Sequence, residues 1–427
     1  MIPDRLQSVT AGSKVAELEL SREEKIDRLA RVAVEIGVNV QEGQELVVTA
    51  PLDAYGFTRN IAKHAYRAGA SLVTTLFTDD VATLLRFQHA RDASFDHAAQ
   101  WLHDGIAAAY RSGAARLAVT GSDPALLAAE DPGKVAHANL ALSKATRPAL
   151  ELITRYAVNW SVVACATPNW ARAVFPKFPE NAAMARLWDE IFTVSRADSA
   201  DPIATWQAHV ADLAGRMKML NDKRLSAIHF RGPGTDLRVG LADDHLWSGG
   251  AATARNGIVC VPNIPTEEVF TTPHRDRVEG TVISTKPLSY QGVVIEGIRV
   301  RFERGQIVEA SADRGEAVLN KILETDAGAR RLGEVALVPH SSPIASTDRL
   351  FWNTLFDENA ASHIALGQAY SSCIQQGDVL EPCELAHKGA NSSLIHIDWM
   401  IGSHDMGVDG LHLDGSTEPL MRSGEWV

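Results

Sequence analysis

The chain is short of cysteine. Four are scattered over 427 residues, at positions 165, 260, 373 and 383, with no Cys-x-x-Cys pair. That excludes a disulfide framework and a zinc ribbon, and leaves buried free thiols in a reducing compartment as the expectation. Long apolar runs are missing too, and none approaches the ~20 residues of a membrane-spanning helix. The opening Met1-Ile2-Pro3-Asp4-Arg5-Leu6-Gln7 lacks the basic start and apolar core of a secretory signal. The expectation is a cytoplasmic protein with no membrane partner. Positive charge is in deficit: 41 Lys and Arg against 53 Asp and Glu leave a net charge of -12. Nucleic acid needs a basic footprint, so it is not an expected partner.

Several motifs are also missing. No Gly-x-Gly-x-x-Gly follows a strand-like run, and there is no Gly-x-x-x-x-Gly-Lys-Ser/Thr phosphate loop. There is no Gly-x-Ser-x-Gly nucleophile elbow and no His-Glu-x-x-His helix. Otherwise the balance of 45% hydrophobic and 22% charged residues is that of an ordinary globular protein, long enough for two or three domains.

Residues 1–20 read as an irregular extension. Ser21, with Glu24 three positions on, has the spacing of a capping box and starts a helix that Gly37 ends. Strands at 45–50, 71–77, 115–120 and 161–166 then alternate with helices at 55–68, 95–112 and 132–145. This pattern predicts an α/β N-terminal domain with a mostly parallel sheet. Helices at 178–195 and 203–220 follow. Beyond Lys223 come short strand-like runs, including 226–230, 236–241, 257–261, 280–284, 292–296, 298–303 and 306–310. Glu303-Arg304-Gly305-Gln306 has the form of a hairpin turn. The expected division is a scaffold domain, 1–222, and an α+β metal-binding domain, 223–427, with mostly antiparallel strands.

The second half carries the candidate chemistry. Residues 391–403 read as a strand, which places His396 and Asp398 on one face. An imidazole and a carboxylate pointing the same way suit a divalent metal. Glu267 and Glu268 adjoin at the end of a strand. Glu334 opens an apolar strand, and His363 sits among small apolar residues. His404-Asp405, Asp409 and His412-Leu413-Asp414 read as loop residues that fix turns or as partners that orient ligands. His274, His340 and His387 are given no role.

Taken together these segments resemble the thermophilic metallo-aminopeptidases (aminopeptidase T, aminopeptidase S and PepS). The resemblance runs from about residue 22 to the C-terminus. It rests on Asn-Ile-Pro-Thr-Glu-Glu-Val-Phe-Thr (263–271), Leu-Gly-Glu-Val-Ala-Leu-Val (332–338), Phe-Asp-Glu-Asn-Ala (356–360) leading to His363 and Tyr370, and the stretch 391–403. Trp399, where Phe is expected, and Gln375-Gln376 before Gly377 depart from the family pattern. The resemblance implies a homodimer that hydrolyses peptides from their N-terminus with two divalent ions, Zn or Co. It implies metal ligands at Glu268, Glu334, His363, His396 and Asp398, with Tyr370 beside them. Three carboxylates partly neutralise two dications and leave room for a hydroxide, which agrees with a two-metal site. Glu267 is the expected general base, by analogy with unrelated two-metal aminopeptidases that place a base beside a ligand Glu. Its alternative is a solvated side chain or an ion pair with Arg275 or Arg277, and Tyr370 is its rival in catalysis. A competing reading takes His363, His396 and Asp398 alone as the two-His-one-carboxylate set of an Fe(II) ring-cleaving dioxygenase.

Overall fold

The computed structural model describes residues 20–290 and 293–427. Most of the expected N-terminal extension, and Gly292 of one expected strand, fall outside that range.

Helix α1 (Arg22–Val32) begins as its sequence specifies. Ser21 accepts from the Glu24 amide and Glu24 accepts from the Ser21 amide, which satisfies two free donors of the first turn. The chain then alternates through β1 (Glu45–Pro51), α2 (Tyr55–Arg67), β2 (Leu72–Thr78), α3 (Asp80–His89), α4 (Gln100–Arg111), β3 (Ala115–Thr120), α5 (Pro132–Thr154) and β4 (Trp160–Ala164). β1 lies parallel to β2 and β3, and β3 parallel to β4. Side-chain alternation on β1 serves both faces of the sheet. Leu46 and Val48 enter one core with α1 and α2, while Val47 enters another with α4 and α5. Among the helices up to β4, α3 and α5 depart most from the sequence reading. α3 is an unexpected helix, capped by Asp79. α5 continues past 145 with Pro148 inside it, because Ala145, Ala149 and Ile153 bury one face of the helix. Packing of that face outweighs the backbone bond that proline removes.

Helices α6 (Pro168–Val174), α7 (Glu180–Val194) and α8 (Pro202–Lys223) lead into the second half. Strands β5 (Ala227–Gly232), β6 (Thr235–Leu241) and β7 (Ser248–Gly249) come first, then a small hairpin of β8 (Ala252–Thr253) and β9 (Val259–Cys260). β10 (Asn263–Ile264), β11 (Val269–Thr271) and β12 (Pro273–Ile283) follow. Next are β13 (Leu288–Tyr290), β14 (Val293–Ile295), β15 (Arg299–Glu303) and β16 (Gln306–Ser311). The turn between β15 and β16 has Arg304 and Gly305 both at positive φ, as a tight hairpin requires. The last strands are β17 (Leu332–Leu337), β18 (His363–Gly367), β19 (His396–Met400), β20 (Gly407–Leu411), β21 (Thr417–Arg422) and β22 (Glu425–Trp426).

Two antiparallel sheets organise this half. One runs β16-β15-β12-β6-β5-β20-β21-β22 and the other β19-β18-β17-β11-β7. Their facing apolar side chains, among them Ile228, Val239, Val278, Val335, Ile364 and Trp399, form one core. The α/β first half and antiparallel α+β second half are therefore the observed architecture.

β10 crosses between the halves. It follows residue 222 in sequence, yet pairs in parallel with β4 as a strand of the first sheet. Ile344, Phe351, Leu355 and Phe356 also pack into the core of α1, α2, α6 and α7. There Trp170 Nε1 donates to the Phe351 carbonyl at 2.5 Å.

Candidate metal centre

The five-stranded sheet explains how distant residues meet. Across it His396 stands opposite Gly367, and Asp398 opposite Ala365. Ala365 stands opposite Glu334, and His363 opposite Ala336. Side chains of directly opposed residues share a face. His396 and Asp398 of β19, His363 of β18 and Glu334 of β17 therefore project from one side. The alternate residues, Ile397, Trp399, Ile364, Leu366, Val335 and Leu337, enter the core on the other side. Ala365 and Ala336 are small, which leaves room above the sheet. Trp399 lies in the core, away from the ligand face.

Glu268 joins from the residue before β11, which pairs with β17. A register shift between Leu332 and Glu334 sets the position of Glu334. Gly333 makes that shift possible, since a Cβ there would meet the Gln368 and Gly367 carbonyl oxygens at 2.3 and 2.5 Å.

The donor atoms form two groups. Glu268, Glu334 and His363 make one, and Glu334, His396 and Asp398 the other, with the ligand atoms of each within 4.8 Å of one another. His363 Nε2 lies 3.2 Å from Glu268 Oε2 and 3.8 Å from Glu334 Oε1. His396 Nε2 lies 3.2 Å from Glu334 Oε2 and 3.4 Å from Asp398 Oδ1. Two ligand atoms ~2.1 Å from a tetrahedral ion would be about 3.4 Å apart, so these separations fit metal binding. The trio of the iron reading does not gather on its own. Glu334 stands with His363 in one group and with His396 and Asp398 in the other.

The imidazoles point the right atom inward. His363 Nδ1 is 3.1 Å from the Ala361 carbonyl and His396 Nδ1 is 2.8 Å from the Gln368 carbonyl. A carbonyl only accepts, so each Nδ1 carries the proton and each neutral ring turns the Nε2 lone pair toward carboxylate oxygens. Lone pair against carboxylate is repulsive unless a proton or a cation lies between them. Facing the protein's own groups alone, the rings take the proton. Burial opposes it, but Glu268 and Glu334 raise the pKa of His363 well above its usual value. Asp398 and Glu334 push that of His396 up to about 11 against burial. Glu268 is raised chiefly by burial, while His396 pulls Asp398 down against burial. Glu268 Oε2 is buried without a hydrogen bond in good geometry. This donor set therefore fits divalent cations.

Tyr370 stands beside the cluster, its ring 4.8 Å from that of His396. Its phenol is raised well above 10 by burial and by Glu334 and Asp398. Glu267 belongs to neither group. Its Oε1 is 2.7 Å from Arg196 Nη1 and its Oε2 accepts from Arg196 Nη2 at 3.0 Å. Arg275 and Arg277, the partners of the alternative reading, pair instead with Asp276 and Asp243. His404 pairs with Asp405, Asp409 with Arg231 and Arg422, and His412 with Glu418, all outside the two groups.

One carboxyl escaped the sequence reading. Glu358 is half-buried and raised well above the ordinary carboxyl range by burial and by the charges of Glu268 and Asp398. Asn263 Nδ2 donates to it at 3.3 Å. It lies in the Phe-Asp-Glu-Asn-Ala motif that leads to His363, and that proximity was the available signal.

Carboxylates and imidazoles converging in this way equip a metal-dependent enzyme rather than a scaffold. The chain belongs to the thermophilic metalloprotease family (M29), whose model matches residues 22–426. Aminopeptidase T of Thermus thermophilus is 52% identical over 402 residues, covering 94% of this chain and 98% of that protein. Aminopeptidase 2 of Geobacillus stearothermophilus is 44% identical over 405 residues, covering 95% and 98%. The solved structure of wild-type AmpT from Thermus thermophilus matches with a TM-score of 0.91 at 51% identity, over 95% of this chain and all of that one.

Proposed function

We propose that Glu268, Glu334, His363, His396 and Asp398 would hold two divalent cations, zinc or cobalt by ligand type, with Glu334 shared between the two donor groups. The chain is a metal-dependent aminopeptidase; the proposal concerns how its site works. The observation that carries it is the division of Glu334, whose Oε1 faces His363 and whose Oε2 faces His396. Divalent ions there supply Lewis acidity toward a carbonyl oxygen and acidify water towards a pKa of ~7.

The aminopeptidases that the chain is similar to support peptides with a free N-terminal amine as the substrate class. Glu358 handles the proton. Burial and the neighbouring charges of Glu268 and Asp398 favour its protonated form, which would supply a proton to the leaving amine. Glu267, with both oxygens on Arg196, is not free for that role. The Tyr370 phenol stays protonated and donates a hydrogen bond to developing negative charge on the substrate oxygen. Buried free thiols at Cys165, Cys260 and Cys373 suit a reducing compartment, and we place the protein in the cytoplasm.

Metal analysis of protein loaded with zinc or cobalt should give two ions per chain, with release of the N-terminal residue from leucyl or arginyl amides. One ion per chain in the active enzyme would reject the proposal. Glu358→Gln should keep both ions and lose roughly 10²–10⁴-fold in kcat, the usual worth of general acid–base catalysis. A near-normal kcat would remove Glu358 from the proton role.

A further inference from the structure

Glu268 lies outside the regular strands. It sits in the short span Pro265–Glu268, between β10 of the first sheet and β11 of the ligand-bearing sheet. Side chains hold that span. Asn359 Oδ1 accepts from the Glu267 amide at 2.7 Å. Arg196, just after α7, grips both oxygens of the Glu267 carboxylate. His209, on α8, meets the Thr266 carbonyl through Nε2 at 2.7 Å.

The gripping residues are themselves fixed. The Arg196 guanidinium lies 5.2 Å over the Trp206 ring, and its Nη2 donates to His209 Nδ1 at 3.3 Å. Since Nδ1 accepts, Nε2 carries the proton and donates to Thr266, which makes His209 the neutral tautomer. Trp206 Nε1 donates to the Ser195 carbonyl at 2.8 Å. The Arg196 and Glu267 side chains are only 14% and 5% exposed. A pair this buried is weak evidence for stability, because desolvating both charges offsets much of their attraction. Its position one residue from a metal-ligand candidate gives it another use.

We propose that Arg196, with His209, is a positioning device. By holding Glu267 and Thr266 from the first half of the chain, it aims the neighbouring Glu268 carboxylate at His363 and Glu334. It thereby sets the affinity of the cation held by that group. Neighbouring side chains of a non-helical span point different ways, so anchoring one directs the next. The proposal rests on the two-cation reading of the site and assigns no chemistry to Arg196 or Glu267.

Titration of metal-free protein with Co²⁺, followed by visible absorption, tests it. Wild type should take two Co²⁺ per chain. Arg196→Lys keeps the charge but loses the fork, and Glu267→Gln keeps the shape but loses the charge. Each should weaken one Co²⁺ by about 10–100-fold, the usual effect of disturbing a ligand's supporting partner, and shift that ion's absorption band. The other Co²⁺ should bind as in wild type. The double variant Arg196→Met with Glu267→Gln leaves no unpaired buried charge, so it guards against a single variant that does not fold. It should melt near wild type yet keep the weakened site. Wild-type titration and spectra in folded single variants, or restored affinity in the double variant, would overturn the positioning role. A wild type that takes fewer than two Co²⁺ would overturn the ligand reading itself.

Discussion

At the scale of single residues, protons and cations compete for the same lone pairs. His363 and His396 each commit Nδ1–H to a backbone carbonyl, which leaves Nε2 to exchange one for the other. Without a cation both rings hold their protons far above the ~6.5 of an unfolded histidine. Their stabilisation of the metal-free fold is therefore complete below ~6.5 and, for His396, lost as pH rises through about 11. A bound cation would displace these protons. Metal affinity should rise with pH above neutrality, about tenfold per pH unit for each proton displaced. Calorimetry in buffers of different ionisation enthalpy, at about pH 8, should register proton release on loading; affinity that falls with pH would contradict this. Glu334→Gln should weaken both ions, and a variant that loses only one would argue against bridging. Residue identity was largely legible here, since four motifs in order named the ligand candidates. The partner of Glu267 was not, because Arg196 stands 71 positions away on another element.

At the scale of elements, alternation along β17, β18 and β19 sorts the ligand candidates from the core. The His-x-Asp spacing of β19 and the apolar run after Glu334 were readable, since both follow the two-residue period of a strand. The irregularity at Gly333 was not, because a register shift depends on the partner strand. Gly333→Ala would drive a Cβ against two backbone carbonyls that cannot rotate away. The expected cost is about 1–3 kcal/mol, with Glu334 displaced and metal content reduced. Thermal unfolding and metal analysis of the variant check this together; wild-type values in both would show that β17 tolerates the added methyl. Helix α3 shows the other limit. Its Asp79 cap was present in the sequence, but Val81 and Leu85 are exposed and give no clear buried stripe.

At the scale of the whole molecule, the metal centre belongs to both halves. Glu268 follows a strand of the first sheet, and Glu358 follows Phe351, Leu355 and Phe356, which pack into the first core. Among the described residues, the first half also leaves an apolar edge uncovered. β2 ends its sheet, with Leu72 and Phe77 exposed and Val81 and Leu85 beyond them on α3. An edge left without a partner among the described residues is a pairing surface, and we propose that two copies of the chain would meet there. Light scattering at micromolar concentration should give the mass of two chains, and Phe77→Lys with Leu85→Lys should lower it to one. A wild-type monomer would reject the dimer, and a dimer that survives both lysines would move the contact elsewhere.

What the sequence determined by itself is local and periodic. Capping at Ser21, the strand–helix alternation of the first half, the face shared by His396 and Asp398 and the order of the ligand motifs all follow from residue type and spacing. Tertiary structure decided which sheet β10 joins, which way Glu267 turns, and that Glu358 feels the charges of Glu268 and Asp398. Those outcomes depend on contacts between residues far apart in the chain, and spacing along one strand carries no information about them.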